Sequence, residues 1–134
     1  MFTSVSSRSA AAYQRVNVET AVSQADPYTL VSMLFEGLLR NIGAARAAIA
    51  RADVAAKGDH IIKAVRIIDE GLKPALNLEQ GGELAANLHG LYGYCVTRLT
   101  DANLHSDDAA LAEVVRIMEP VIQGWKEMAQ QPKA

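Results

Sequence analysis

Residues 76–94 read LNLEQGGELAANLHGLYGY, from Leu76 to Tyr94, and the fold hangs on how this stretch is parsed. Its first half has the chemistry of a turn. Asn77 closes the preceding segment, and Gly81-Gly82 can take the positive φ angles that other residues resist. Its second half opens a helix. Glu83 stands in the first turn, where the helix dipole favours a negative charge. Leu84, Leu88, Leu91 and Cys95 then recur at helical spacing and predict one inward face. The stretch therefore joins two antiparallel helices. It also sets three polar groups, Asn87, Tyr92 and Tyr94, beside apolar ones. A plain bundle does not need that much chemistry at one corner.

Upstream of the turn, Ile61, Val65, Ile68, Leu72 and Leu76 predict a narrow seam on a second helix, with Ile62 and Ile67 to either side of it. Asp53 is placed to cap this helix, and Pro74 should kink or end its last turn. Before it, Asp26-Pro27 opens a first helix running to about Arg51, with aspartate as cap and proline at the first helical position. Leu30, Leu34, Leu38, Ala45 and Ile49 share one face there. Val31, Phe35, Leu39 and Ile42 widen the stripe to roughly half the circumference. Downstream, the third helix is predicted from about Glu83 to Asn103, with Leu99 and Ala102 continuing the inward face and Gly90 and Gly93 inside it. Ser106-Asp107 caps a fourth. Its stripe runs from Leu111 to Met128 and includes Trp125, and Pro120 within it predicts a bend and a lost backbone bond near Arg116.

The sum is an all-α chain: four amphipathic helices with short connections, hence an antiparallel up-and-down four-helix bundle. Residues 1–22 are serine- and alanine-rich and read as a mobile N-terminal arm; residues 23–130 make the bundle domain. Tyr13, Val16, Val18 and Val22 are apolar positions in that leader, suited to weak docking on the body.

Composition narrows the function. The 134 residues are half hydrophobic but only 5% aromatic, so aliphatic side chains must fill one core. With 13 basic and 15 acidic residues, net charge −2, the chain lacks the basic footprint of a nucleic-acid binder. One cysteine excludes an intrachain disulfide and suits a reducing cytoplasm. Met1 to Ser9 does not read as a signal peptide, and no run approaches the roughly 20 apolar residues of a membrane span.

Catalytic patterns are missing. A di-metal bundle site needs a glutamate three residues before a histidine; here Lys57, Ala86 and Ala102 precede His60, His89 and His105. Cys95 on an inward face reads as a buried structural thiol. Gly81-Gly82 lacks the lysine and strand of a phosphate loop, and the adjacent Asp69 and Glu70 point about 100° apart. No cofactor, metal or enzyme activity is expected. What remains is surplus apolar surface on the first helix and at Ile62 and Ile67, to be covered by the arm or by another chain.

In order along the chain, several short runs resemble those of the FliS family of flagellar secretion chaperones. They are Tyr13-Gln14, Glu19-Thr20-Ala21, the first-helix series Pro27, Leu30, Val31, Met33-Leu34-Phe35-Glu36-Gly37, then Lys63-Ala64 and Ile67-Ile68. The most diagnostic run follows: Gly81-Gly82-Glu83-Leu84-Ala85, Asn87-Leu88, Leu91-Tyr92 and Tyr94, with Leu99, Ala102-Asn103 and Trp125 after it. Gly93 and Cys95 depart from the family pattern, where an acid and a methionine are common, and Gly90 adds flexibility. The resemblance implies a chaperone of the bacterial cytosol. Its partners would be the C-terminal segment of flagellin, held back from premature polymerisation, and the flagellar export gate. The residues expected to touch partners are Tyr13, Val31, Phe35, Ile62, Ile67, Asn87, Tyr92 and Tyr94. Two rivals stay open: an adaptor bundle that homodimerises through the same apolar surface, and a metal-dependent bundle oxidase.

Overall fold

The structure is a computed structural model that describes residues 26–130. The arm assigned to residues 1–22, Tyr13 included, lies outside the described residues. Four helices account for the described fold: α1 (Pro27–Ala50), α2 (Val54–Arg66, prolonged by a π turn Ile67–Leu72), α3 (Gly82–His105) and α4 (Asp108–Gln130). Among the described residues there is no strand. Helix α1 packs on α2 and α4, and α3 packs on the same two. That closed ring, with short connections between sequential helices, is the up-and-down bundle.

Local chemistry fixes the helix ends. Asp26 Oδ1 accepts the Thr29 amide at 2.7 Å, and Pro27 starts α1. The turn to α2 is three residues long. Ala52 adopts φ +60°, the Asp53 amide donates back to Ala48 O at 2.9 Å, and Asp53 Oδ1 caps α2 through Ala56 N at 3.1 Å. Helix α2 ends before Pro74, which has no N–H to continue it. In the next turn Asn77 Oδ1 accepts the Gln80 amide at 2.9 Å. Of the glycine pair only Gly82 takes a positive φ, +56°. Gly81 is needed for space: a Cβ there would lie 2.6 Å from both Asn77 O and Ala85 Cβ. Asp107 Oδ1 caps α4 through Ala109 N at 3.0 Å. That helix runs on through Pro120, where the Arg116 carbonyl has no N–H to accept.

Two seams differ from the sequence expectation. On α2 the core positions are Ile61, Ala64, Ile67, Ile68, Gly71 and Leu72, with Val65 only half-buried. The π turn is the cause. It fits an extra residue into the turn, as the Lys73 amide reaching Ile68 O five residues back shows. Adjacent pairs Ile67–Ile68 and Gly71–Leu72 thereby both face inward. Ile67, expected beside the seam, is fully buried. Gly71 lets α1 approach: a Cβ would stand 3.0 Å from both methyls of Leu34.

On α3 the buried residues are Ala85, Tyr92, Cys95, Leu99 and Ala102, with Leu88 and Leu91 half-buried and Leu84 68% exposed. The seam is a heptad stripe, 85–88–92–95–99–102, and its period of 3.5 brings Tyr92 and Ala85 inward where Leu91 and Leu84 were expected. The remaining core comes from Leu34, Leu38 and Ile42 of α1 and from Leu111, Val114 and Met118 of α4, all fully buried. On α4, Met128 lies outside it, half exposed.

Polar bonds set the helices in register. Buried Asn41 donates its amide to Gly37 O at 2.8 Å, leaving Oδ1 to face His60 Nδ1 at 2.9 Å. His60 therefore carries its proton on Nδ1. Arg46 forks onto Asp108 at 2.8 and 3.1 Å, tying the end of α1 to the start of α4.

Candidate partner-binding site

Three of the large apolar side chains that the bundle leaves outside gather between α2 and α3. Val54 is 66% exposed, Ile62 53% and Leu104 74%. They line one open groove of about 820 Å³, with Gly58, Thr100 and Asn103 between them. Val54, Gly58 and Ile62 succeed each other every fourth residue along α2, which spans roughly two turns, about 12 Å. Gly58 faces α3 there: a Cβ on it would sit in ordinary contact, 3.6 Å from Asn103 Oδ1. The rim is polar, with Asp59 paired to Lys63 at 3.3 Å.

A second, smaller hollow lies between α1 and α4, lined by Ser32, Phe35, Leu39, Ile122 and Trp125. It is built around Trp125. The indole stacks on Tyr28 with centroids 5.0 Å apart, meets Phe35 edge-on at 6.2 Å, and donates Nε1–H to Ser32 Oγ at 3.0 Å. Glu36 and Lys126 add one charge of each sign to its lining.

The residues expected to touch a partner divide accordingly. Ile62 faces the α2–α3 groove, and Phe35, itself buried, walls the α1–α4 hollow. Val31 is half-buried beside the core. Asn87 is exposed on α3. Ile67 and Tyr92 are core residues, 0% and 3% exposed, so neither offers a free surface. Burial pushes the Tyr92 phenol up to about 12, with the nearby Cys95 adding to the rise. Tyr94 is 45% exposed, and its hydroxyl donates to Glu113 at 2.6 Å. That bond raises the Tyr94 pKa and, with Arg98 bonded at 2.7 Å to the other carboxylate oxygen, lowers that of Glu113. Tyr94 is thus a strut between α3 and α4 with one face in solvent. Sequence reasoning missed Val54 and Leu104. Val54 opens α2 and Leu104 stands in the last turn of α3, at helix ends beyond the stripes read from the sequence.

Burial, followed by the Glu113 charge, pushes the Cys95 thiol up to about 11, so it stays protonated and inert. Among the described residues no three His, Cys, Asp or Glu side chains gather as metal ligands. No described helix is long and apolar enough to cross a membrane.

A bundle with an apolar groove and a separate aromatic hollow has the surface of a protein that binds other chains. The family model described as "Flagellar protein FliS" matches residues 9–132. The chain belongs to the FliS family. Among similar proteins, the flagellar secretion chaperone FliS of Salmonella typhimurium is 44% identical over 123 residues, covering 92% of this chain and 90% of the relative. Flagellar secretion chaperone FliSB of Pseudomonas aeruginosa is 43% identical over 113 residues, 84% of this chain and 89% of its own length. FliS of Bacillus subtilis is 37% identical over 119 residues, 89% of this chain and 84% of its own length. The FliS family is thus one of flagellar secretion chaperones, and the grooves described above are surfaces of a FliS-family bundle.

Proposed function

We propose that this protein is a flagellar export chaperone, without enzymatic activity, of the bacterial cytosol. It binds the C-terminal segment of flagellin, keeps that segment from polymerising, and presents it to the flagellar export gate. The observation that carries this reading is the α2–α3 groove, where Val54, Ile62 and Leu104 stand at least half exposed on one continuous surface. An amphipathic segment that folds on docking would lay its apolar residues there, as helices do in grooves of this kind. The partner pays ordering entropy on binding, which keeps the complex reversible, as a cargo that must be handed on requires. The α1–α4 hollow lies on another side of the ring and gives a long client a second foothold.

The test is calorimetric titration of the full-length protein with a synthetic flagellin C-terminal segment. Light scattering of the protein alone is run across a concentration series. The expected result is saturable binding by a protein whose mass does not rise with concentration. A concentration-dependent dimer that ignores the peptide would mark an adaptor bundle instead. The same titration examines the N-terminal segment. We propose that its apolar positions Tyr13, Val16, Val18 and Val22 compete with the client, because a tethered segment acts at high effective concentration. A protein beginning at Val18 should then bind the peptide more tightly. Unchanged or weaker binding would remove the competitor role.

A further inference from the structure

Lys57 stands one turn into α2 and is only 5% exposed. Its ammonium donates to the backbone oxygen of Asn103 at 2.8 Å, in the last turn of α3, and to Ser106 Oγ at 2.9 Å. Both acceptors are neutral, and an ammonium has three N–H groups. Among the described residues no carboxylate pairs with it. Those on the neighbouring backbone are engaged elsewhere: Asp53 caps Ala56 N and reaches Arg51 at 3.4 Å, and Asp59 pairs with Lys63. A buried ammonium without an anion is costly to keep and gains much when an anion arrives. Lys57 also walls two adjoining hollows. One is the α2–α3 groove; the other, about 190 Å³, lies at the α1–α2 turn beside Ala52, Asp53 and Ser106. Val54 and Lys57 are common to both linings.

We propose that Lys57 receives the α-carboxylate at the very end of the bound client, resting on the reading that the client is a C-terminal segment. The last apolar residues of that segment lie on Val54, Ile62 and Leu104, and its terminal carboxylate pairs with the free N–H of Lys57. An internal stretch with the same apolar pattern has no such group. The chaperone therefore reads a finished chain end and favours a released flagellin over one still attached to the ribosome.

The experiment titrates the full-length chaperone with the flagellin C-terminal segment made as the free acid and as the C-terminal amide. The free acid is expected to bind about tenfold more tightly, the order of a well-formed charge pair. Lys57→Met should bring the ratio to about one, whatever it does to the absolute affinity, and Lys57→Arg should keep a clear preference for the acid. Loss of the α3 cap alone would weaken both peptides alike, so the ratio separates reception from structure. Equal and tight binding of both peptides by the unmodified protein overturns the proposal while leaving the function above intact, even if Lys57→Met does not fold. A preference for the acid that survives in Lys57→Met overturns it too. If neither peptide binds, it is the flagellin reading itself that fails.

Discussion

Ile62→Asp is expected to weaken binding of the flagellin C-terminal segment by about 30-fold or more, while the protein keeps its fold. Ile62 is half exposed and stands at one end of the α2 wall of the groove, with Val54 at the other end and Thr100 and Leu104 on the α3 wall. A docked helix would bury it, and well-buried anchor residues contribute about 2 kcal/mol or more each, which is about that factor in affinity. The aspartate adds a carboxylate that docking must desolvate. In the free protein the new side chain meets water, so stability should change by no more than about 0.5 kcal/mol. Calorimetry and a thermal melt on the same sample decide the matter. Unchanged affinity with an unchanged melt would move the client off this groove. A fall in both would mean that Ile62 supports the fold.

Tyr92→Ala is expected to do the opposite. Tyr92 is 3% exposed in the heptad seam of α3, and truncating a buried aromatic costs about 3–5 kcal/mol. For a domain of this size that lowers the melting temperature by on the order of 10 °C. Among the described residues the Tyr92 hydroxyl has no hydrogen-bond partner. Tyr92→Phe should therefore stay within about 1 kcal/mol of the parent in a urea titration. A small stability loss in Tyr92→Ala with a selective loss of client binding would return Tyr92 to the partner surface.

The contrast between Ile62 and Tyr92 shows how far the sequence carries. Caps were legible because their chemistry is local: Asp26, Asp53 and Asp107 each bond an amide within three residues. Helix count and order followed from the 3.6-residue period. Faces were harder. Tyr92 and Leu91 are neighbours on α3, and only the heptad continued back from Ala102 and Cys95 selects the tyrosine. Ile67 was misread because a π turn is set by how two helices meet, and nothing in Ile67–Leu72 announces the additional residue. Here Gly71 against Leu34 and the paired isoleucines reveal it only once α1 is in place. The groove was half legible: Ile62 stood out, whereas Val54 and Leu104 come together through the meeting of a helix start and a helix end. Lys57 could not be told from any surface lysine until Asn103 and Ser106 were brought to it.

The protein has one tryptophan, and the fold has placed it where it can serve as an optical gauge. Trp125 is stacked on Tyr28, bonded to Ser32 and partly open to the α1–α4 hollow, far around the ring from Val54, Ile62 and Leu104. Its emission wavelength depends on how wet and how polar that hollow is. A client segment that fills the hollow should shift the emission to shorter wavelength, whereas one confined to the α2–α3 groove should leave the spectrum alone. Titrating successively shorter flagellin fragments and watching for the length at which the blue shift disappears would map which part of the cargo reaches each side of the bundle, with no label added.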